Sequence, residues 1–166
     1  MTTKGIVLEM TDPSQLIPSQ VQPDVGLIEV AASDGARIGA LYRRIWEPMG
    51  GGGRSAWTDG QWVAELGQSG AGAWVARLRG EDVGMAELGW SGNGDAAFIV
   101  IGVVPAVQGR GIGGDLLTRL TRLMWLTPAD SGQPTKRVWL WTVPDEHVHA
   151  VPNYLARGFT RGPDLD

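Results

Sequence analysis

Apolar residues along the chain follow two spacings, and each spacing predicts one kind of element. Continuous or alternating apolar runs predict strands at residues 25–31, 71–79, 83–90, 96–104 and 136–143, with a short last strand at 159–161. Apolar residues three and four positions apart predict helices at about residues 34–46, 58–67, 112–126 and 146–157. The run at 96–104 is long, β-branched and uncharged, so we expect it to be a central strand buried on both faces.

The first 24 residues differ in composition from the rest of the chain. They contain Pro13, Pro18 and Pro23 among Ser, Gln and Thr residues, which is typical of an irregular segment. We therefore predict an N-terminal arm at residues 1–24 and one domain at residues 25–166, which is long enough to bury a core. Within the arm, residues 5–10 are apolar enough to form an extra edge strand.

Charge and composition narrow the classes of partner. The formal charge is 14 − 18 = −4 with no basic block, which argues against nucleic acid as a partner. The chain has no cysteine, so disulfides and thiolate catalysis are excluded. No apolar run approaches the roughly 18–20 residues of a membrane span, and no signal peptide is evident, so we expect no membrane association and a cytoplasmic location.

Four glycines within residues 108–114 lie just before and inside the first turn of the helix that follows the central strand. The first N–H groups of a helix have no partner inside it, and the helix dipole is positive there, so this loop predicts a phosphate site. Gly109, Gly111 and Gly114 also fit the dinucleotide fingerprint G-x-G-x-x-G, which leaves a dinucleotide-binding protein as an alternative. Against that alternative, four residues separate the strand from the first glycine, and three strands precede this one.

Three short motifs occur together in the second half of the chain. Residues 108–113 read QGRGIG, residues 103–105 read VVP, and residues 153–159 read NYLARGF. They match the Q/R-x-x-G-x-G/A signature, its V-x-P lead-in and the Y-x-x-x-G-F ending of the GCN5-related N-acetyltransferases, and the chain resembles that family. The resemblance implies an α/β (α+β) fold, a mixed central sheet of six to seven strands flanked by helices. It also implies that the central strand and the next one splay apart after the proline.

The resemblance further implies acetyl-CoA as cofactor, with its pantetheine arm in the splay and its pyrophosphate on the glycine loop. The N–H of Val103 or Val104, left free by the splay, would face the thioester carbonyl. The residues that would hold the pyrophosphate are Gln108, Gly109, Arg110, Gly111, Ile112, Gly113 and Gly114. Tyr154 occupies the place of the tyrosine that protonates the departing thiol, and its alternative role is that of a half-buried core residue.

The general base is harder to assign. Relatives often carry a glutamate inside the central strand, where this chain has Ala97. Glu87 on the preceding strand is the best substitute, as the base and as a contact for the acceptor, and its alternative is a place on a solvated face. Asp95 is a weaker candidate, because Asp after Asn-Gly is ordinary turn chemistry.

Tryptophans surround the flexible run of glycines at residues 50–53, which could act as a lid. Trp57 is the best candidate for the acceptor pocket, whereas packing explains Trp46 and Trp62 slightly better. His147 and His149 do not share a helix face, so we expect no metal site there.

These features together predict an acetyl-CoA-dependent N-acetyltransferase that acts on a primary amine of a small molecule. Without cysteine, transfer would be direct, within a ternary complex. A non-catalytic acyl-CoA-binding regulator on the same fold stays open as an alternative, since the central strand lacks the glutamate. The resemblance also leaves a homodimer open.

Overall fold

The structure is a computed structural model that describes residues 4–145 and 148–165. Its seven strands are β1 (Ile6–Met10), β2 (Gly26–Val30), β3 (Ala71–Leu78), β4 (Glu81–Trp90), β5 (Asp95–Val103), β6 (Arg137–Thr142) and β7 (Thr160–Arg161). Its four α-helices are α1 (Gly35–Trp46), α2 (Asp59–Leu66), α3 (Ile112–Leu126) and α4 (Ala150–Ala156). No helix in the described ranges is long and apolar enough to cross a membrane.

The strands form one mixed sheet in the order β2-β3-β4-β5-β6-β1-β7. Strands β2 to β5 are antiparallel, β5 and β6 are parallel, and β1 is antiparallel to both β6 and β7. The predicted mixed sheet of six to seven strands flanked by helices is therefore confirmed.

Helices cover both faces of the sheet. A methyl group added at Gly102 would lie 2.8 Å from the Trp46 ring, so α1 lies on the face that carries Gly102 and its neighbour across the ladder, Met85. Trp90 is on the opposite face of β4, and its Nε1 donates to the Thr127 carbonyl at the end of α3, 3.0 Å away. Helices α1 and α2 thus cover one face, and α3 covers the other.

The two parallel strands separate along their length. The pairing of β5 with β6 begins at Asp95–Arg137 and ends at Phe98–Leu140, whereas β5 stays paired with β4 as far as Val103. In this register residues 99–103 have β4 on one side and a widening gap on the other. The gap is the predicted splay, and it opens toward the glycine loop that follows β5.

A bulge in the ladder lies beside this gap. The register shifts between Glu87 and Leu88, which face Val100 and Phe98, so Ile99 is the extra residue of β5. Bulges are common next to active sites because they redirect side chains.

The N-terminal residues join the sheet and then cross α3. Strand β1 lies between β6 and the two-residue β7, rather than at an edge. The chain then runs past α3, where the Ser19 N–H donates to Thr118 Oγ1 at 3.0 Å and Arg119 Nη1 donates to the Val25 carbonyl at 2.8 Å. Residues 6–10 thus belong to the same sheet as the rest of the chain, while the boundary at residues 24–25 stays a prediction.

Local sequence explains where two of the helices begin. Thr58 caps α2, since its Oγ1 accepts from the Gln61 N–H at 3.2 Å while the Gln61 side chain accepts from the Thr58 N–H at 2.8 Å. Helix α4 begins at Ala150, four residues later than predicted, so Pro152 falls in its first turn, where the missing N–H costs no helical bond.

Candidate active site

The glycine loop forms the start of α3. Gly109 and Gly111 have φ of 81° and 80°, a left-handed conformation that glycine adopts without steric cost. Gly111 is the N-cap, and the N–H of Asp115 donates to its carbonyl at 3.1 Å. The N–H groups of Ile112, Gly113 and Gly114 come before this bond and lie at the positive end of the helix.

The last glycine of the loop lets α4 approach closely. A methyl group at Gly114 would lie 2.9 Å from Arg157 Nη1 and 3.3 Å from Asn153 Oδ1. The Arg157 guanidinium therefore lies beside the positive end of α3, and its buried Nε has no hydrogen-bond partner among the described residues. The guanidinium and the positive end of α3 repel each other unless an anion lies between them. The two groups together therefore fit a phosphate. Sequence reasoning missed Arg157, because only the meeting of two helices reveals it.

One predicted backbone donor is not free. The N–H of Val104 donates to the carbonyl of Val83 at 2.8 Å, so the prediction that the splay frees this group is wrong. Alternation along an antiparallel ladder turns the N–H and carbonyl of Val103 the other way, toward the gap. The side chain of Gln108 reaches that carbonyl, with Nε2 to O at 3.3 Å. Of the two residues, only Val103 offers its N–H to the gap.

Tyr154 lies on α4, on the far side of the sheet from α1. Its ring centroid is 6.3 Å from that of Phe159, which is 6.3 Å from that of Phe98 on β5. Burial raises the pKa of Tyr154 to about 12. Its phenol therefore stays protonated near neutral pH and can donate a proton or a hydrogen bond.

Glu87 is buried on the α1 and α2 face, not solvated. Its side chain is 3% exposed, and its Oε1 lies 2.6 Å from Nη1 of Arg54. Arg54 also binds Glu65 on α2, with Nη2 to Oε2 at 2.9 Å. Burial raises the pKa of Glu87 to about 7, against the opposing effect of Arg54. A carboxyl group with such a pKa suits general acid–base work at neutral pH.

Aromatic rings surround this ion-paired group. Trp57 is half-buried and lies edge-on to Trp62, with ring centroids 5.0 Å apart, while Tyr42 stacks on Trp46 at 4.4 Å. Trp62 is fully buried, so it packs in the core. A methyl group at Gly52 would clash with the Tyr42 hydroxyl, so the loop at residues 50–54 lies directly on these rings.

Sequence reasoning missed Arg54 and Glu65. They lie 33 and 22 residues from Glu87 along the chain, and no local pattern links the three. The one available signal is a single arginine directly after the run of four glycines.

Glu87 and Tyr154 lie on opposite faces of the sheet. Glu87 and Leu88 are neighbours on β4 and therefore point to opposite faces, and Leu88 pairs with Phe98, which belongs to the Tyr154 side. Groups on the two faces can act on one reacting centre only through an opening in the sheet. The gap between β5 and β6 is such an opening.

The other titratable candidates have ordinary surroundings. Asp95 Oδ2 lies 3.4 Å from Nη1 of Arg137, and the Asp95 N–H donates to Asn93 Oδ1 at 3.1 Å within the turn. His149 is exposed at the N-cap of α4, and His147 lies outside the described residues. No group of three metal-ligating side chains occurs in the described part of the chain.

Two surface depressions lie away from these groups. One of about 580 Å³ is open and contains the ion-paired Arg37 and Asp82 at the turn between β3 and β4. The other, of about 320 Å³, lies between Trp74 and Trp90 beside the end of α3, at the opposite end of the sheet from the splay. Neither borders Glu87, so size alone does not locate the chemistry here.

The sequence model described as "Acetyltransferase (GNAT) domain" matches residues 69–161, which include the splayed strands, the glycine loop and α4. The chain belongs to the GNAT acetyltransferase family. The match leaves out residues 1–68, and with them Arg54, Trp57 and Glu65. No curated protein sequence matches the chain.

Solved structures share the fold of this GNAT chain at low identity. A protein of unknown function from Staphylococcus epidermidis aligns with a TM-score of 0.71 at 14% identity, over 95% of this chain and 57% of its own. A GCN5-related N-acetyltransferase from Kribbella flavida aligns with a TM-score of 0.62 at 16% identity, over 94% of this chain and 53% of its own. An aminoglycoside acetyltransferase from an uncultured soil metagenomic sample aligns with a TM-score of 0.63 at 18% identity, over 87% and 96%. The chain thus spans little more than half the length of the first two proteins.

Proposed function

We propose that this protein is an acetyl-CoA-dependent N-acetyltransferase that moves an acetyl group directly to a primary amine of a small molecule. The observation that carries the proposal is the gap between β5 and β6, which opens beside the glycine loop, while Glu87 and Tyr154 lie on opposite faces of the sheet. A reacting centre in this gap would have a base on one side and an acid on the other.

The cofactor proposal rests on the groups at the start of α3. The backbone of residues 108–114 would hold the pyrophosphate, with Arg110 and Arg157 as cationic side chains nearby. Acetyl-CoA would supply an acyl group already activated as a thioester. The N–H of Val103 would polarise its carbonyl by a hydrogen bond.

The proton transfers follow from the two pKa values. Glu87, with a pKa of about 7, would accept a proton from the acceptor's ammonium group, directly or through water, which leaves a neutral nucleophilic amine. A carbon–nitrogen bond then forms as the carbon–sulfur bond breaks. Tyr154, with a pKa of about 12, would donate its proton to the departing sulfur, and the resulting phenolate would take up, through water, the proton that the new amide nitrogen loses.

Calorimetric titration with acetyl-CoA tests the proposal, and Gly113→Trp is the variant to use. Gly113 is the second residue of α3, and a methyl group there would lie 3.8 Å from Asn153 Nδ2, an ordinary contact, so we expect the position to accept a side chain without backbone strain and a bulky indole to block the loop. We expect the wild type to bind acetyl-CoA and not NAD, and we expect Gly113→Trp to lose binding.

Gly60→Trp is the matched control. Gly60 is the second residue of α2, and a side chain there meets Thr58 Oγ1 at 3.9 Å, so the substitution is equivalent but lies on another helix. It should bind acetyl-CoA as the wild type does. A folded wild-type protein that binds no acetyl-CoA would contradict the proposal.

A second candidate is a regulator that binds acyl-CoA without turnover. It gains support from Ala97, which stands in the central strand where relatives carry glutamate. If the wild type acetylates an amine, and if both Glu87→Gln and Tyr154→Phe lose this activity, the protein is an enzyme and not a regulator.

A further inference from the structure

Arg54 occupies a site in which every neighbouring group favours a cation. Its guanidinium contacts the carboxylates of Glu87 and Glu65 at 2.6 and 2.9 Å. Its Cζ lies 4.3 Å from the centroid of the Trp57 ring and 5.2 Å from that of Trp62. Carboxylates and indole faces both attract cations, and they do so most strongly when shielded from water.

The cation and the two carboxylates of this site belong to different parts of the fold, whereas Trp57 shares the loop of Arg54. Glu87 lies on β4 and Glu65 on α2, whereas Arg54 lies in the loop between α1 and α2. The loop begins with Gly50 and Gly51, whose φ angles are 94° and 93°. A loop without helical or strand pairing opens more easily than the sheet and helix beneath it.

Few bonds hold the loop in its closed position. Among the described residues, two backbone hydrogen bonds hold the loop to α1: the Arg54 N–H donates to the Tyr42 hydroxyl at 3.2 Å, and the Gly51 N–H donates to the Trp46 carbonyl at 2.9 Å. Its other contacts are the ion pairs of Arg54 and the packing of the loop on aromatic rings. Arg54 could therefore leave the site while Glu87, Glu65 and Trp62 stay in place.

The charges around Arg54 do not balance. Two carboxylates share one guanidinium, so the cluster has a charge of −1 when both are ionised. Burial and the neighbouring Glu65 keep the pKa of Glu87 raised even with Arg54 in contact. Above its pKa of about 7 Glu87 is ionised, and a cation from outside would then find unneutralised charge here.

We propose that the Arg54 guanidinium occupies the binding site, or seat, of the acceptor's own cationic group. The acceptor is then an alkylammonium or guanidino compound that replaces Arg54 between Glu87, Glu65 and the Trp57 ring. That the bound compound is an acetyl acceptor rests on the proposed function, whereas the cation site itself rests on these contacts alone.

The guanidinium ion, added to Arg54→Ala, tests the proposal without turnover. Removal of the side chain leaves two carboxylates and two indoles around an empty seat that the free ion fits. We expect millimolar guanidinium chloride to raise the Tm of Arg54→Ala saturably, by about 2–4 °C. Tryptophan fluorescence should change over the same range, because the ion lies on the Trp57 ring, and potassium chloride should produce neither effect.

Arg37→Ala is the matched control. Arg37 also pairs with a carboxylate, Asp82 at 2.7 Å, but Asp82 keeps a second arginine, Arg77, at 3.1 Å. Neither this variant nor the wild type should respond to guanidinium. An Arg54→Ala protein that responds no more than these two would overturn the proposal.

Two further arrangements keep the test decisive. If Arg54→Ala is too unstable to purify, Arg54→Ala with Glu65→Gln retains Glu87 and both indoles, and its failure to respond would equally overturn the seat. Acetyl-CoA titration on the same samples separates the two proposals. Binding of acetyl-CoA without a guanidinium response overturns the seat alone, and a guanidinium response without acetyl-CoA binding overturns the acetyl transfer alone.

Discussion

The two faces of the sheet carry different kinds of functional group: mainly backbone N–H groups on one face and side chains on the other. On the α3 and α4 face, most of the groups are backbone N–H groups whose directions are fixed by the glycines of residues 109–114. On the α1 and α2 face, the groups are side chains, with Glu87, Arg54 and Trp57 at the centre.

This difference determines how each side responds to mutation. Shortening one side chain does not remove a binding site that consists of backbone N–H groups. Such a site is blocked only when a substitution adds a side chain over it. A site made of buried charges depends on each atom, because a carboxylate without its partner stays desolvated. We therefore expect substitutions on the Glu87 side to change the chemistry while the affinity for acetyl-CoA stays constant.

The largest effect should come from Glu87→Gln. The substitution keeps the shape and removes the base, so kcat should fall roughly 10²–10⁴-fold, the usual contribution of a positioned base. Calorimetry should show an unchanged Kd for acetyl-CoA. Glu29→Gln, at an exposed position on β2, is the control and should leave both quantities unaltered. If Glu87→Gln also lost affinity for acetyl-CoA, the claim that one face binds the cofactor and the other carries the chemistry would be wrong.

Tyr154→Phe should have the next largest effect, at about 10²-fold in kcat. The ring packing against Phe159 survives in this variant, so stability should change little. Because the pKa of Tyr154 is about 12, the wild-type rate should show no loss from deprotonation of this residue between pH 7 and 10. A fall in wild-type kcat over this range that is absent from Tyr154→Phe would contradict the role of acid.

The same difference explains what the sequence could and could not predict. The glycine loop was predictable because glycine itself encodes the left-handed turns at residues 109 and 111, and the strand and helix on either side have clear apolar periods. Pairing across the sheet is not local. It decided that the Val104 N–H bonds to Val83, whereas the packing of the α1–α2 loop on the sheet brought Arg54 to Glu87 from 33 residues away. Burial, which separates a base from a solvated glutamate, also depends on the whole fold.

The pH dependence of stability sharpens the contrast at Glu87. Its pKa rises from 4.5 to about 7 on folding because burial disfavours the charged form, while Arg54 opposes the rise and Glu65 adds to it. The folded state therefore retains a proton that the unfolded state releases. The stability contributed by this proton is complete below about pH 4.5 and is lost as the pH rises through 7.

Urea unfolding at several pH values between 4 and 8 measures this loss. The free energy of unfolding of the wild type should fall relative to that of Glu87→Gln as the pH rises through this range. Curves that stay parallel would show that Glu87 has the same pKa in both states.

The smallest effect concerns the helix that carries Glu65. Thr58 and Gln61 form a reciprocal cap on α2, so Thr58→Ala should lower the free energy of unfolding by about 1 kcal/mol. Asp34 is the N-cap of α1 but makes no capping bond with its side chain, so Asp34→Ala should cost only a few tenths of a kcal/mol. Because α2 supports only the side-chain half of the site, Thr58→Ala should leave the Kd for acetyl-CoA unchanged while it weakens the hold of Glu65 on Arg54. An equal cost for the two substitutions in urea unfolding would mean that the cap on α2 contributes nothing beyond the intrinsic preference of its residues.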